Sequence, residues 1–235
     1  MKKKIFIVAL VVCIMAISIA SASMAYFTDT EKATNTFTSG EVAIEMTEAA
    51  VKADALGHLV EDTASNRKEA TETGATFDYG KIFPMQTIYK DPTVKNTGSE
   101  SAFIGAVITI KNDEGTIDDL LTVGSDANKT AVSEFITGLV SNGYTVKYAE
   151  VKDNSNAVTA LQIYIVKTAA LASGATADPF FTGVKIPKTW DNDEMAKCKT
   201  LSISVEAYAV QTAGFATADA AFQAAFGTEF APYFA

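Results

Sequence analysis

The sequence predicts an all-β protein, mostly β with a few short helices, folded as a jelly-roll-like antiparallel β-sandwich behind an export leader. Three observations predict it. Short runs alternate apolar with polar residues, clusters of Asn, Asp, Gly and Ser separate those runs, and strands are not interleaved with crossover helices at regular intervals. Alternation means that each sheet has one wet face, which favours antiparallel pairing. No repeat period stands out, so a solenoid is disfavoured.

In the first predicted strand, Val42, Ile44 and Met46 alternate with Glu41, Ala43 and Glu45. Residues 49–74 break that rhythm with many Ala, Glu, Asp, Thr and Lys residues, and they read as a surface insertion with room for a short helix. Strand signals return over 77–83, 87–95, 102–111, 144–151, 159–167 and 201–210. Turn chemistry lies between them at Lys95-Asn96-Thr97-Gly98-Ser99, Lys111-Asn112-Asp113-Glu114-Gly115 and Asp153-Asn154-Ser155-Asn156. The clearest alternation sets Leu161, Ile163 and Ile165 against Gln162 and Tyr164, and Leu201, Ile203 and Val205 against Ser202, Ser204 and Glu206. Two segments have helical spacing. Over 129–142, Val132, Phe135, Ile136, Leu139 and Val140 fall on one face, with Gly143 as terminator. Near the end, Thr217 can cap a helix carrying Asp219, Phe222 and Phe226, closed by Gly227.

The first 25 residues have the three parts of a secretory signal peptide: Lys2-Lys3-Lys4, an apolar run from Ile5 to about Ala20, and the small-residue exit Ser23-Met24-Ala25. Small residues at the first and third positions before the cut fit cleavage after Ala25, leaving Tyr26 as the new terminus, with Ala22 as the second choice. The competing reading is an uncleaved anchor, since no charge interrupts Ile5 to Phe27. Lipidation at Cys13 is disfavoured by its place inside the apolar run, preceded by Val12. Residues 26–235 then form a single secreted domain of about 210 residues, a size one β-sandwich accommodates.

The formal net charge is −9 and falls to about −12 once the three leader lysines are removed. That balance argues against nucleic acid as a partner, and it leaves contact with membrane to an uncleaved leader. Mature chains would keep one thiol, Cys198, and hence no internal disulfide; it reads as inert, with intermolecular pairing as the alternative.

Catalytic sets are missing from the sequence. His58 is the one histidine, and it stands in Leu56-Gly57-His58-Leu59-Val60 without a nucleophile motif, so hydrolytic triads and two-histidine zinc helices lack their parts. The acidic runs around Asp113, Glu114, Asp118 and Asp119 and around Asp191, Asn192, Asp193 and Glu194 have oxygen ligands suited to calcium, but neither has EF-hand spacing; solvated turns are the simpler reading. No phosphate-cradling glycine loop occurs, and no cofactor is expected. Trp190 reads as a core or loop anchor, with sugar stacking as the alternative.

Three stretches read together as a family pattern. They are Ala25-Tyr26-Phe27-Thr28-Asp29-Thr30-Glu31 followed by Asn35-Thr36-Phe37-Thr38-Ser39-Gly40, then Val94-Lys95-Asn96-Thr97-Gly98-Ser99, and last Val205-Glu206-Ala207-Tyr208-Ala209-Val210-Gln211. The chain resembles the TasA and camelysin family, whose leaders look like substrates of the alternative signal peptidase SipW. The resemblance implies a jelly-roll sandwich, secretion, and a structural role in biofilm matrix or cell-surface fibres, with further copies of itself and other matrix proteins as partners. The peptidase label attached to camelysin is not carried over, because no metal-binding or catalytic set is recognisable. Assembly is expected through a donated strand: residues 26–36, freed by the cut, add to a neighbour's open sheet edge with Tyr26 and Phe27 as apolar anchors. A monomeric adhesive or carbohydrate-binding module is the alternative, and a hydrolase with a carboxylate-only site the more distant one.

Overall fold

The computed structural model describes residues 41–69, 83–112, 117, 127–187, 190–197 and 201–235. The chain divides into two units, Met1–Ser39 and Gly40–Ala235. The first lies outside the described residues, and with it the expected cut at Ala25/Tyr26 and the expected donor segment 26–36.

The second unit is mostly β. Its strands are β1 (Ile44–Glu48), β2 (Val51–Ala53), β3 (Leu59–Glu61), β4 (Lys68–Glu69), β5 (Thr87–Ile88), β6 (Thr93–Asn96), β7 (Ala102–Asn112), β8 (Tyr144–Lys152), β9 (Val158–Lys167), β10 (Val184–Lys185) and β11 (Leu201–Gln211). Helices α1 (Ala127–Ser141), α2 (Asn192–Lys197), α3 (Ala218–Phe226) and α4 (Ala231–Phe234) fill the connections and the C-terminus. The sheets run β4-β1-β6, β10-β5-β3-β2 and, the largest, β11-β7-β9-β8. All pairings are antiparallel except the short β3–β5 contact, in which Leu59 faces Ile88 in parallel.

The main sheet follows from its sequence pattern. Alternation sends Ile104, Ala106, Ile108 and Ile110 of β7 to one face, in register with Ala209, Ala207, Val205 and Ile203 of β11. On β9, Ile165, Ile163 and Leu161 fill the same layer. These side chains form the main core with Ile88, Val94, Phe180 and Trp190, so all three sheets feed one apolar centre. Burying each large aliphatic side chain stabilises by roughly 1.5–3 kcal/mol.

The opposite face of the main sheet is covered by the C-terminal helices. Phe103, Val107, Tyr164, Val166 and Val210 pack there against Phe222, Phe230 and Tyr233. Phe222 lies over Gly105, where an added Cβ would come within 2.7 Å of two ring carbons and 2.8 Å of the Ile165 carbonyl oxygen. The ring of Phe230 stands edge-on to Tyr164 and Tyr208, at centroid distances of 5.6 and 5.2 Å. Thr217 caps α3 by accepting the Ala220 N–H at 3.2 Å.

The predicted turns at 95–99 and 153–156 are present, whereas residues 113–115 of the one expected at 111–115 lie outside the described residues. Asp153 Oδ1 accepts the Ser155 and Ala157 N–H groups, and Asn156 takes a φ of 66°. In the 95–99 turn, Asn96 Oδ1 accepts the Gly98 N–H, and Gly98 is packed so closely on the backbone of Glu41 that a side chain has no room. Gly143, at φ 84°, ends α1 as its sequence predicts.

Three expectations are corrected. Residues 49–74, expected as a surface insertion with room for a short helix, hold strands where they are described: Val51–Ala53 and Leu59–Glu61 form a hairpin, and Lys68–Glu69 pairs with β1. Its turn is closed by Asp54, whose Oδ1 accepts the Leu56 and His58 N–H groups at 2.8 Å each, a local bond that competes with helix. The 87–95 strand is two strands, because the intervening Tyr89-Lys90-Asp91-Pro92 holds a proline without an N–H and two side chains committed to ion pairs. The acidic stretch after Asp191 is the short helix α2 rather than an open turn, begun by Asp191 Oδ1 accepting the Asp193 N–H at 2.7 Å. Of the strand expected over 77–83, only Phe83 lies among the described residues, and it opens a turn in which its carbonyl accepts the Gln86 N–H.

Candidate functional site

The most concentrated polar chemistry among the described residues sits where β1 ends and the link into β6 passes. Lys90 Nζ reaches both oxygens of Glu48, at 2.6 and 2.8 Å, and each side chain is only 5% exposed. Beside it, Asp91 Oδ2 takes Arg67 Nη1 at 2.6 Å and the Tyr89 hydroxyl at 3.3 Å, while Oδ1 takes the Ala49 N–H at 2.7 Å. The Arg67 guanidinium also donates to the Thr47 carbonyl and hydroxyl, to the Thr93 hydroxyl and to the Asp91 carbonyl. Burial, then the charge of Asp91, push the Tyr89 hydroxyl above its ordinary value.

This cluster is arranged as a clasp. A general acid needs a proton to give, and a general base needs a lone pair aimed at a substrate. Here the carboxylate oxygens of Glu48 and Asp91 are already directed at cations, a phenol and a backbone N–H, joining β1, the approach to β4 and the approach to β6. The sequence reading missed the clasp. Its signal was a charged pair, Lys90-Asp91, interrupting an otherwise strand-like run directly before Pro92.

The other singled-out residues fall in separate places. His58 closes the β2–β3 turn, and its Nδ1 accepts the Thr87 N–H at 3.3 Å, which ties that turn to β5. Trp190 is 3% exposed and belongs to the main core, so it offers no face for sugar stacking. Among the described residues, no group of three or more His, Cys, Asp or Glu is placed to hold a metal ion. Asp113, Asp118, Asp119 and Cys198 lie outside the described residues, as do Ala25, Tyr26 and Phe27.

Two surface features remain. The first is an apolar patch on the β2–β3 turn and the 83–86 turn, where Leu56, Phe83 and Met85 are exposed around a cavity of about 320 Å³. Gln86 braces it, its Nε2 donating to the Gly57 carbonyl and its Oε1 accepting the Phe83 N–H. The second is the pair of ends of the main sheet. Among the described residues β11 pairs only with β7, and β8 only with β9.

No family model matches the chain. No curated protein and no solved structure matches it either. The functional evidence is therefore the chain's own: carboxylates held in ion pairs, a tryptophan committed to the core, and a large sheet whose end strands β11 and β8 each have one strand partner among the described residues.

Proposed function

We propose that the protein is a secreted structural subunit of an extracellular or cell-surface fibre, assembled when the N-terminal segment of one copy adds as a strand to the sheet of the next. The supporting observation is the main sheet itself, four antiparallel strands long and unclosed at β11 and β8 among the described residues. Open sheet ends present rows of N–H and C=O groups that an extended segment can satisfy. Repetition of one such head-to-tail contact yields a filament instead of a closed oligomer. We read the finer architecture as a jelly-roll-like sandwich, in keeping with a core drawn from all three sheets.

The motifs that resemble the TasA and camelysin family favour the same reading, and cleavage after Ala25 supplies the free segment. A carbohydrate-binding module would need an exposed aromatic platform, and Trp190 is not one. The test is microscopy of the purified chain beginning at Tyr26 beside one lacking residues 26–35. Filaments from the first and folded monomers from the second are expected. Filaments unchanged by the deletion would reject the donated strand.

A further inference from the structure

We propose that His58 is an acid-sensitive latch: its neutral imidazole fastens the β2–β3 turn to β5 at the base of the apolar patch, and protonation of the ring releases that fastening. The inference concerns the patch around Leu56, Phe83 and Met85 and is independent of the fibre reading.

The latch is a single hydrogen bond, in which the Thr87 N–H donates to His58 Nδ1 at 3.3 Å. Its neighbours along β5 use main-chain acceptors. The Tyr89 N–H donates to the Leu59 carbonyl at 2.7 Å, and the Gln86 carbonyl accepts the Ile186 N–H at 2.9 Å. At Thr87 a side chain takes the place of a carbonyl, because the carbonyl of Gly57 accepts Gln86 Nε2 at 2.8 Å. A neutral imidazole has one donor and one acceptor nitrogen, whereas an imidazolium has two donors. The bond therefore exists only while Nδ1 carries no proton. Protonation sets two N–H donors against each other at that step and leaves the carbonyl-based bonds on either side intact.

The main chain around the ring is held independently of it. Asp54 Oδ1 accepts the Leu56 and His58 N–H groups at 2.8 Å each, the Asp54 N–H donates to the His58 carbonyl at 2.9 Å, and Gly57 takes a φ of 83°. The ring can thus leave Thr87 without unfolding the turn. Of the charged groups on the surrounding elements, the Asp54 carboxylate in the same turn favours the protonated ring, and Lys185 of β10, in register with Thr87, opposes it. Lys52 of β2 is paired with Asp62, and Glu61 at the end of β3 acts on Tyr89. The 83–86 turn contributes Phe83, Pro84, Met85 and Gln86, none of which titrates.

The position of this bond gives it a consequence. The cavity of about 320 Å³ has Leu56, Gly57 and His58 on one wall and Phe83, Met85 and Gln86 on the other. With the ring neutral, two side-chain ties join the β2–β3 turn to the 83–87 stretch, one through His58 and one through Gln86. With the ring charged, Gln86, which is 4% exposed, is left as the side-chain brace. The patch is then presented on a fixed base when the ring is neutral and on a looser one in acid. Histidines change charge between about pH 5 and pH 8, and His58 is the one histidine in the chain.

Amide exchange of the whole chain at about pH 8 and about pH 5 tests the latch, with labelling times scaled for the intrinsic effect of pH and single amides read by fragmentation mass spectrometry. Protection of Thr87 should fall about 2- to 10-fold in acid, the loss expected for one hydrogen bond. Tyr89 and Ile186 should keep theirs. His58→Asn places an amide oxygen near the position of Nδ1, and amides do not titrate in this window, so the step at Thr87 should vanish in that variant. Equal protection of Thr87 at the two pH values overturns the latch, as does a loss that Tyr89 and Ile186 share; both are read on the parent chain and need no variant. A step of the same size in His58→Asn assigns the response to another group and overturns it as well.

Discussion

Replacing Lys90 by Met leaves the Glu48 carboxylate in a site where its side chain is 5% exposed and where Nζ had met both oxygens. Methionine has similar volume and no charge, so the change is electrostatic more than steric. Removing one partner of a buried ion pair costs about 3–5 kcal/mol, because the other charge loses its contact with an opposite charge away from water. Against a domain stability of about 5–15 kcal/mol, that is a large fraction. The double variant Glu48→Leu, Lys90→Met removes both charges and is expected within about 1 kcal/mol of the parent, or more stable, since apolar replacements of buried pairs are often neutral or stabilising. Urea unfolding at neutral pH, comparing midpoints at constant slope, measures both. If Lys90→Met costs under about 1 kcal/mol, or if the double variant costs as much as Glu48→Leu and Lys90→Met added together, the pair is not the desolvated clasp argued from its burial.

Three further outcomes follow from the same structure. Gly105→Ala should destabilise by about 1–3 kcal/mol through overpacking against Phe222 and the Ile165 carbonyl, read by thermal unfolding; a neutral result would mean that the C-terminal helices are loosely seated. Phe222→Ala should cost about 3–5 kcal/mol by opening a cavity in the aromatic layer, measured by urea unfolding; a cost below about 1 kcal/mol would place that layer outside the cooperative fold. Stability should fall between about pH 10 and pH 12, because burial pushes Tyr144 and Tyr208 up to about 12 and also raises Tyr233, with Asp178, Glu206 and Asp219 adding to the effect at each in turn. Below pH 10 these hydroxyls are protonated in both states; above it the unfolded chain ionises first, so stability present at lower pH is lost as pH rises toward the folded-state values. A urea midpoint flat across that window, or a loss unaltered by Tyr208→Phe, would contradict the assignment.

Much of the fold was legible because local chemistry and long-range packing agree. The period-two runs of β7, β9 and β11 were readable since one face of each meets the same core, and Asp153, Gly143 and Thr217 carry out the local roles that their residue types predict. Legibility failed where a local bond competed with composition. The Ala-rich 49–61 stretch looks like loop or helix, but Asp54 closes a hairpin turn and Ala49 and Ala50 are buried beside the clasp. The clasp escaped notice because Glu48 and Arg67 lie far in sequence from the adjacent Lys90 and Asp91, and each alone resembles a surface charge. Trp190 shows the reverse: either a core or a surface role fits its neighbours in sequence, and only packing decides.

Amide hydrogen exchange on dilute and assembled chains beginning at Tyr26 probes the backbone pairing itself. Incorporation of new intermolecular strand bonds should slow exchange in residues 26–36 and along an end strand of the main sheet on assembly. Equal exchange over 26–36 in both states, in preparations where filaments are visible, would contradict a fibre built by strand donation.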